Sequence, residues 1–115
     1  EPVRLDILTD RNTLYRETSE GLIENSYSFK LTNMSNDPQR YGFRVTGPAG
    51  VRIETDPPQV TLAAGETRTV PARIQLDPAR TEAVGGVDVT VYVESTGDAG
   101  IRGKETTRFR TPVGR

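Results

Sequence analysis

The side chains of this chain that could do chemistry are mostly carboxylates, since the sequence has no cysteine and no histidine. Without those residue types the chain cannot build a thiol nucleophile, a Ser-His-Asp triad, a structural zinc centre or a soft copper or haem site of its own. A glycosidase would need two carboxylates fixed about 5–10 Å apart in a cleft. No spacing singles out such a pair, so we interpret the carboxylates as solvated surface. They are Asp6, Asp10, Glu17, Glu20, Glu66, Asp88 and Glu94.

Three loops could in principle hold an ion. Asp56 or Asp98 could ligate calcium together with backbone carbonyls, but neither loop has the EF-hand ligand spacing. The segment Gly47–Gly50 lacks the lysine and the helix that follow a phosphate-binding loop, and we interpret it as a turn. We therefore predict no catalytic, metal or cofactor site in this chain, and no small-molecule substrate.

Binding to another molecule is the other class of function. A formal net charge of -1 argues against a nucleic-acid surface, which needs clustered basic charge. Tyr92 is out of phase with its valine neighbours, so it is predicted to face outward. There it is either covered by the stems of neighbouring arginines or acts as an aromatic anchor for a partner.

A second candidate for docking is the non-alternating stretch 10–25, which is long for a sandwich loop. Its apolar residues Leu14 and Tyr15 either plug the open end of the fold, or the stretch presents a docking surface. The residues proposed for docking, from both regions, are Arg11, Asn12, Tyr15, Arg16 and Tyr92.

The elements that must position these residues are strands, because apolar residues recur with a period of two. About eight short alternating segments each have one apolar face, which is typical of an antiparallel β-sandwich. They begin near Val3, Tyr27, Tyr41, Val51, Val60, Val70, Val87 and Glu105. Turn residues separate them at 33–38, 47–50, 56–58, 63–66 and 97–100.

Two prolines constrain this arrangement. Pro71 lies within an alternating run and cannot donate to a ladder, so its strand is predicted to lie at a sheet edge or to bulge there. Asp77 followed by Pro78 predicts one helical turn over 77–83 that crosses between the sheets. The predicted core is Leu5, Ile7, Tyr27, Phe29, Leu31, Phe43, Val45, Val60, Leu62, Val70, Ile74, Val89, Val91, Val93 and Phe109.

Two residue clusters in the first third of the chain resemble a known family. The first cluster is Asp10, Arg11, Asn12, Leu14, Tyr15 and Arg16. The second is Gly21, Ile23, Glu24, Asn25 and Tyr27. At this separation they resemble the start of the C-terminal domain of FixG/CcoG (RdxA) proteins. The resemblance implies an immunoglobulin-like fold, so we predict an all-β, immunoglobulin-like antiparallel sandwich of seven to nine strands without a disulfide.

The resemblance also implies a role. The parent would be a protein of the bacterial inner membrane with 4Fe-4S clusters, serving the assembly of cbb(3)-type cytochrome oxidase, with copper reduction as its chemistry. Residues 1–115 would be its single, periplasmic, non-catalytic C-terminal domain, cut from the larger protein. Its partner would be a protein, either its own membrane portion or an oxidase assembly component. The parent's cluster-binding cysteines have no counterpart here, because this chain has none.

Two rival functions remain at this stage. An adhesive or carbohydrate-binding module would use Tyr92 as its sugar platform, although the chain has no tryptophan. An enzyme would need a cleft with a carboxylate whose pKa is strongly perturbed.

Overall fold

Strands account for most of the fold, and they follow the alternating segments. The computed structural model describes residues 2–9, 15–80 and 85–112. Within those ranges the strands are β1 (Val3–Thr9), β2 (Arg16–Glu17), β3 (Ile23–Asn33), β4 (Gln39–Thr46), β5 (Arg52–Thr55), β6 (Val60–Leu62), β7 (Thr67–Leu76), β8 (Val87–Ser95) and β9 (Arg102–Phe109). Between β7 and β8 lies a short 3-10 helix, Pro78–Arg80, with the Asp77 carboxylate accepting from the Ala79 amide at 2.9 Å, as the predicted cap requires.

The strands form two antiparallel sheets. The first sheet has the order β1-β3-β7-β5, with β2 added to the start of β3, and the second has the order β6-β4-β8-β9. Consecutive strands often lie in different sheets, so the chain crosses between the two layers several times. The predicted all-β antiparallel sandwich is confirmed.

The core fills the space between the two sheets. Phe29 of β3 and Phe109 of β9 are fully buried, and the rings of Phe29 and Phe43 meet with 5.6 Å between their centres. Of the predicted core, Ile7, Phe43 and Val45 are only partly buried. Phe43 borders an open depression of about 250 Å³ that is also lined by Ile53, Glu54, Thr55 and Pro58. The core also includes Tyr41, which alternation places inward, and four residues that the prediction omitted: Val3, Ile23, Ala72 and Leu76.

The predicted placement of Pro71 is wrong. Strand β7 lies between β3 and β5, and its register with β3 runs unbroken from Ile23 opposite Leu76 to Thr32 opposite Thr67. The Pro71 carbonyl accepts a hydrogen bond from the Asp56 amide at 3.1 Å. Because the nitrogen and oxygen of one residue point to the same neighbour in an antiparallel strand, the missing N–H faces the end of β5 and not β3. An interior strand tolerates the proline because its neighbour ends there.

Strand β3 begins earlier than the pattern suggested, so that part of the predicted loop 10–25 is sheet. Ile23, Asn25 and Tyr27 all point inward, and the polar Asn25 hides the alternation in the sequence. The Asn25 side chain donates to the Arg110 carbonyl at 3.0 Å and accepts from the Arg110 amide at 2.7 Å, as a neighbouring strand would. The Tyr27 hydroxyl donates to the Arg108 carbonyl at 3.0 Å. These bonds join the first sheet to the end of β9 in the second.

A second buried amide organises the opposite end of β3. Asn33 is fully buried, and its side-chain nitrogen lies 2.9 Å from the Asp37 carbonyl and 3.2 Å from the carbonyls of Leu62 and Ala63. Its side-chain oxygen accepts from the amide and the hydroxyl of Ser35 at 2.9 and 2.7 Å. One side chain thus shapes the turn into β4 and holds the end of β6.

Within residues 2–9, 15–80 and 85–112, no helix has the length and apolar character needed to span a bilayer.

The same substitution, tyrosine to phenylalanine, should have opposite effects on stability at two tyrosines of the core. Tyr27→Phe removes a hydroxyl that is hydrogen bonded to the Arg108 carbonyl, and should lower the free energy of unfolding by about 1 kcal/mol. Tyr41→Phe removes a buried hydroxyl that has no hydrogen-bond partner in the described structure, and should leave stability unchanged or raise it by about 1 kcal/mol. Urea unfolding of both variants measures the difference, and equal destabilisation would contradict this account of the two hydroxyls.

Asn33→Ala should lower the free energy of unfolding by about 3 kcal/mol, because it removes a fully buried side chain and its hydrogen bonds to the Leu62 carbonyl, the Asp37 carbonyl and the Ser35 amide. Asn36→Ala is the matched control, since Asn36 is exposed in the same turn. Urea unfolding should show a change of at most about 0.5 kcal/mol for the control. Similar losses for both variants would show that Asn33 does not organise this end of the sandwich.

Candidate docking surface

The outward face of β8 and β9 is a series of directly opposed residue pairs. Two of these pairs bond to each other: Asp88 and Arg108 form an ion pair at 3.1 Å, and the hydroxyls of Thr90 and Thr106 are 2.9 Å apart. In this half of the face, the opposed polar side chains therefore bond to each other.

The other half of the same face is built around Tyr92. In the register, Tyr92 lies opposite Arg44 of β4 on one side and Lys104 of β9 on the other. The Arg44 guanidinium carbon lies 4.0 Å from the centre of the Tyr92 ring, which is a cation–π contact. Tyr92 is half-buried and faces outward as the alternation predicted, and of the two alternatives left open for its ring, the structure shows an arginine over one face.

Two depressions flank the contact between Tyr92 and Arg44. The larger, of about 550 Å³, is lined by Arg44, Tyr92, Glu94, Arg102, Gly103 and Lys104. The smaller, of about 210 Å³, lies on the β4 side and includes Gly42, where an added Cβ would have only the Gln59 amide nitrogen near it, at 3.9 Å. The missing side chain keeps this side open. We call the two depressions together the Tyr92 groove.

The Tyr92 groove is positively charged, although the chain as a whole has a net charge of -1. The cations Arg44, Arg102 and Lys104 line it against the single carboxylate of Glu94. Glu94 lies 3.7 Å from the Arg44 guanidinium, a loose contact between two partly exposed groups. Within the described part of the chain, neither Arg102 nor Lys104 has an ion-pair partner. These two cations are therefore available to an external anion.

Of the other predicted docking residues, the two that the structure describes, Tyr15 and Arg16, do not join Tyr92. Arg11 and Asn12 lie outside the described residues, whereas Tyr15 is partly exposed beside β2 and Arg16 belongs to β2 itself. That strand pairs with β3 in the first sheet, whereas Tyr92 lies on the outer face of the second. Among the described members of the predicted set, Arg16 thus lies in one layer and Tyr92 in the other.

Arg16 has a partner within the fold. Its guanidinium lies 2.7 Å from the Glu24 carboxylate, which also accepts from the Gln75 amide at 2.6 Å and lies 3.8 Å from Arg73. Glu24 is only 3% exposed. Burial alone would raise its pKa, but the hydrogen bonds from Gln75 and Arg16 and the charges of Arg16 and Arg73 hold the pKa below its ordinary value of 4.5. This end of β3 is therefore stabilised by a charged network, with Arg16 as part of it.

The neighbours of Tyr92 were not identified from the sequence. Alternation placed only Arg44 on an outward strand position, because the last predicted segment began near Glu105, whereas β9 begins at Arg102 and includes Lys104. What brings them together is the order β4-β8-β9 and its register, which periodicity does not specify.

Two of the three loops considered for an ion form turns. The Asp98 carboxylate accepts from the Gly100 amide at 2.9 Å in the turn between β8 and β9, and the turn 47–50 ends at Gly50 with a positive φ of 81°. Across the described ranges, no group of three or more His, Cys, Asp or Glu side chains is placed to hold a metal ion.

The charged network around Glu24 predicts a dependence of stability on pH. Because the pKa of Glu24 is lower in the folded than in the unfolded chain, its contribution is present above about pH 4.5 and is lost as the pH falls through the folded-state pKa. Glu24→Gln should cost roughly 1–3 kcal/mol at pH 7 and should flatten the acid limb of the stability curve. The matched control is Glu54→Gln, which alters an exposed partner of Arg73 and should do neither. Urea unfolding between pH 7 and pH 3 tests this, and parallel acid limbs for wild type and Glu24→Gln would contradict it.

Comparison with known proteins agrees with this architecture. Residues 1–112 match the family model described as "IG-like fold at C-terminal of FixG, putative oxidoreductase". The crystal structure of a FixG-related protein from Vibrio parahaemolyticus is similar, with a TM-score of 0.81 and 22% sequence identity over 96% of this chain and 97% of that chain. A crystal structure of the GAE domain of yeast GGA1 shares the fold more loosely, with a TM-score of 0.50 and 14% identity over 96% of this chain and 91% of that chain.

A search of curated protein sequences found no match. The family model spans nearly the whole chain, and the antiparallel sandwich agrees with the immunoglobulin-like fold that it describes. The chain therefore belongs to the family of immunoglobulin-like domains found at the C-terminus of FixG proteins.

Proposed function

We propose that this domain is a non-catalytic docking module of a FixG/CcoG-like membrane protein, located on the periplasmic face of the bacterial inner membrane. The parent protein serves the assembly of cbb(3)-type cytochrome oxidase and the handling of copper. Its redox chemistry belongs to 4Fe-4S clusters outside this chain. The domain contributes by binding a protein partner, which is either the membrane portion of the parent or a component of oxidase assembly.

The observation that carries this proposal is a contrast between two sets of polar side chains, one bonded within the fold and the other open to solvent. The described charged and amide residues of the two family clusters bond within the fold: Arg16 to Glu24, and Asn25 to the backbone of Arg110. In contrast, the Tyr92 groove exposes an aromatic ring and cations without ion-pair partners in the described structure. Such a surface is suited to binding, since aromatic and arginine side chains dominate protein interfaces.

A carbohydrate-binding role has less support. A sugar ring would have to stack on a free face of an exposed aromatic ring. Arg44 already lies over the Tyr92 ring at 4.0 Å, so stacking on that face would require this cation to be displaced. The rival still makes a clear prediction, since glycan binding would be lost in Tyr92→Ala.

Removal of the domain from the parent protein tests the proposed function. The parent gene is expressed with and without this domain, and cupric-ion reduction and the amount of assembled cbb(3)-type oxidase are measured in membranes. We expect oxidase assembly to fall while cupric-ion reduction by the remaining protein persists, because the clusters lie outside the domain. Immunoblots must show equal amounts of both parent forms. Unchanged oxidase assembly at equal protein levels would overturn the proposal.

A further inference from the structure

The larger part of the Tyr92 groove is open, cationic and partly aromatic, and these properties restrict what it can bind. Arg44, Tyr92 and Lys104 lie in one row across β4, β8 and β9. Adjacent strands are about 4.8 Å apart, so this row spans about 10 Å between its outer strands, roughly three residues of an extended peptide. Arg102 lies two positions from Lys104 on the same outward face, about 7 Å away along β9.

We propose that the Tyr92 groove binds an extended acidic peptide segment of a partner protein. Its carboxylates pair with Arg102 and Lys104, and an apolar side chain on the same face of the peptide packs beside the Tyr92 ring. This inference deepens the proposed function, on which it rests for the presence of a protein partner. It adds the location of the docking site and the chemistry of the segment bound there.

Charge complementarity is the main argument for this occupant. Three cations face one carboxylate in the groove, and the loose pair between Arg44 and Glu94, at 3.7 Å, leaves part of the Arg44 charge uncompensated. In the other half of the same face, Arg108 pairs with the carboxylate of Asp88. The cations of the groove differ from Arg108 in that no such carboxylate of the described chain neutralises Arg102 or Lys104.

A lipid surface fits the groove less well than a peptide. Attraction to an anionic membrane amounts to about 1 kcal/mol for each basic residue near the surface, and recognition usually involves clusters of about four to eight of them. The groove has three, with Glu94 among them. Its larger depression is concave, with a volume of about 550 Å³, and this shape suits individual side chains of a peptide.

The chain's two lysines provide a matched pair of variants. Lys104 lines the groove, whereas Lys30 is exposed on β3 in the other sheet. Lys104→Glu and Lys30→Glu therefore change the net charge equally at different places. Tyr92→Ala and Tyr15→Ala form a second pair, since both rings are partly exposed and only Tyr92 lines the groove.

The test measures binding of a short fluorescently labelled peptide that alternates glutamate with serine around one central phenylalanine. We expect Lys104→Glu and Tyr92→Ala each to raise its Kd by about fivefold or more in low salt, with little change for Lys30→Glu or Tyr15→Ala. The effect of Lys104→Glu should shrink between about 50 mM and about 500 mM NaCl, because salt screens exposed charges. In ¹⁵N spectra of the chain, peptide-induced shifts should concentrate on β4, β8 and β9.

Three outcomes would overturn the inference. They are equal binding of a peptide with lysine in place of glutamate, equal losses for Lys104→Glu and Lys30→Glu, and binding only to vesicles of phosphatidylglycerol and phosphatidylcholine. The last of these would assign the groove to a lipid surface. Removal of the domain from the parent tests the broader function separately: if oxidase assembly falls but the acidic peptide does not bind, the docking module stands and this groove is not its site.

Discussion

Closure of the two sheets on each other is the constraint on which the rest of the structure depends. The sandwich has no disulfide, since the chain contains no cysteine, so the layers are held by apolar packing and by buried hydrogen bonds between them. From β3, Asn25 donates to the Arg110 carbonyl just after β9, and Tyr27 donates to the Arg108 carbonyl within β9. Asn33 donates to the Leu62 carbonyl at the end of β6. Such bonds specify geometry, because a buried amide without its partner costs more than the bond itself contributes.

These bonds also explain the second family cluster. In a sequence, Glu24, Asn25 and Tyr27 have the chemical character of a functional site, since they combine a carboxylate, an amide and a phenol within four positions. In the fold they point to opposite sides of one strand: Glu24 into a charged network on the outer face, and Asn25 and Tyr27 toward the second sheet. Their common role is to secure the start of β3.

The same closure determines which surface can bind. Once the apolar faces of both sheets are turned inward, function is left to the outward faces and the loops. On the first sheet, the outward Glu24, Arg73 and Glu54 compensate one another. On the second sheet, Arg102 and Lys104 of β9 have no ion-pair partner among the described residues. A net charge near zero therefore conceals a local excess of positive charge that composition alone could not show.

The sequence by itself determined the class of fold and the direction of most side chains, because a period of two assigns alternate residues to opposite faces wherever a strand forms. That is why Phe29, Val91 and Phe109 were correctly placed in the core and Tyr92 on the surface. Only the tertiary structure decided the strand order, since pairing joins residues far apart in the chain and periodicity is silent on which strands are neighbours. For this reason Pro71 proved to lie in an interior strand, and for the same reason Arg44 and Lys104 flank Tyr92.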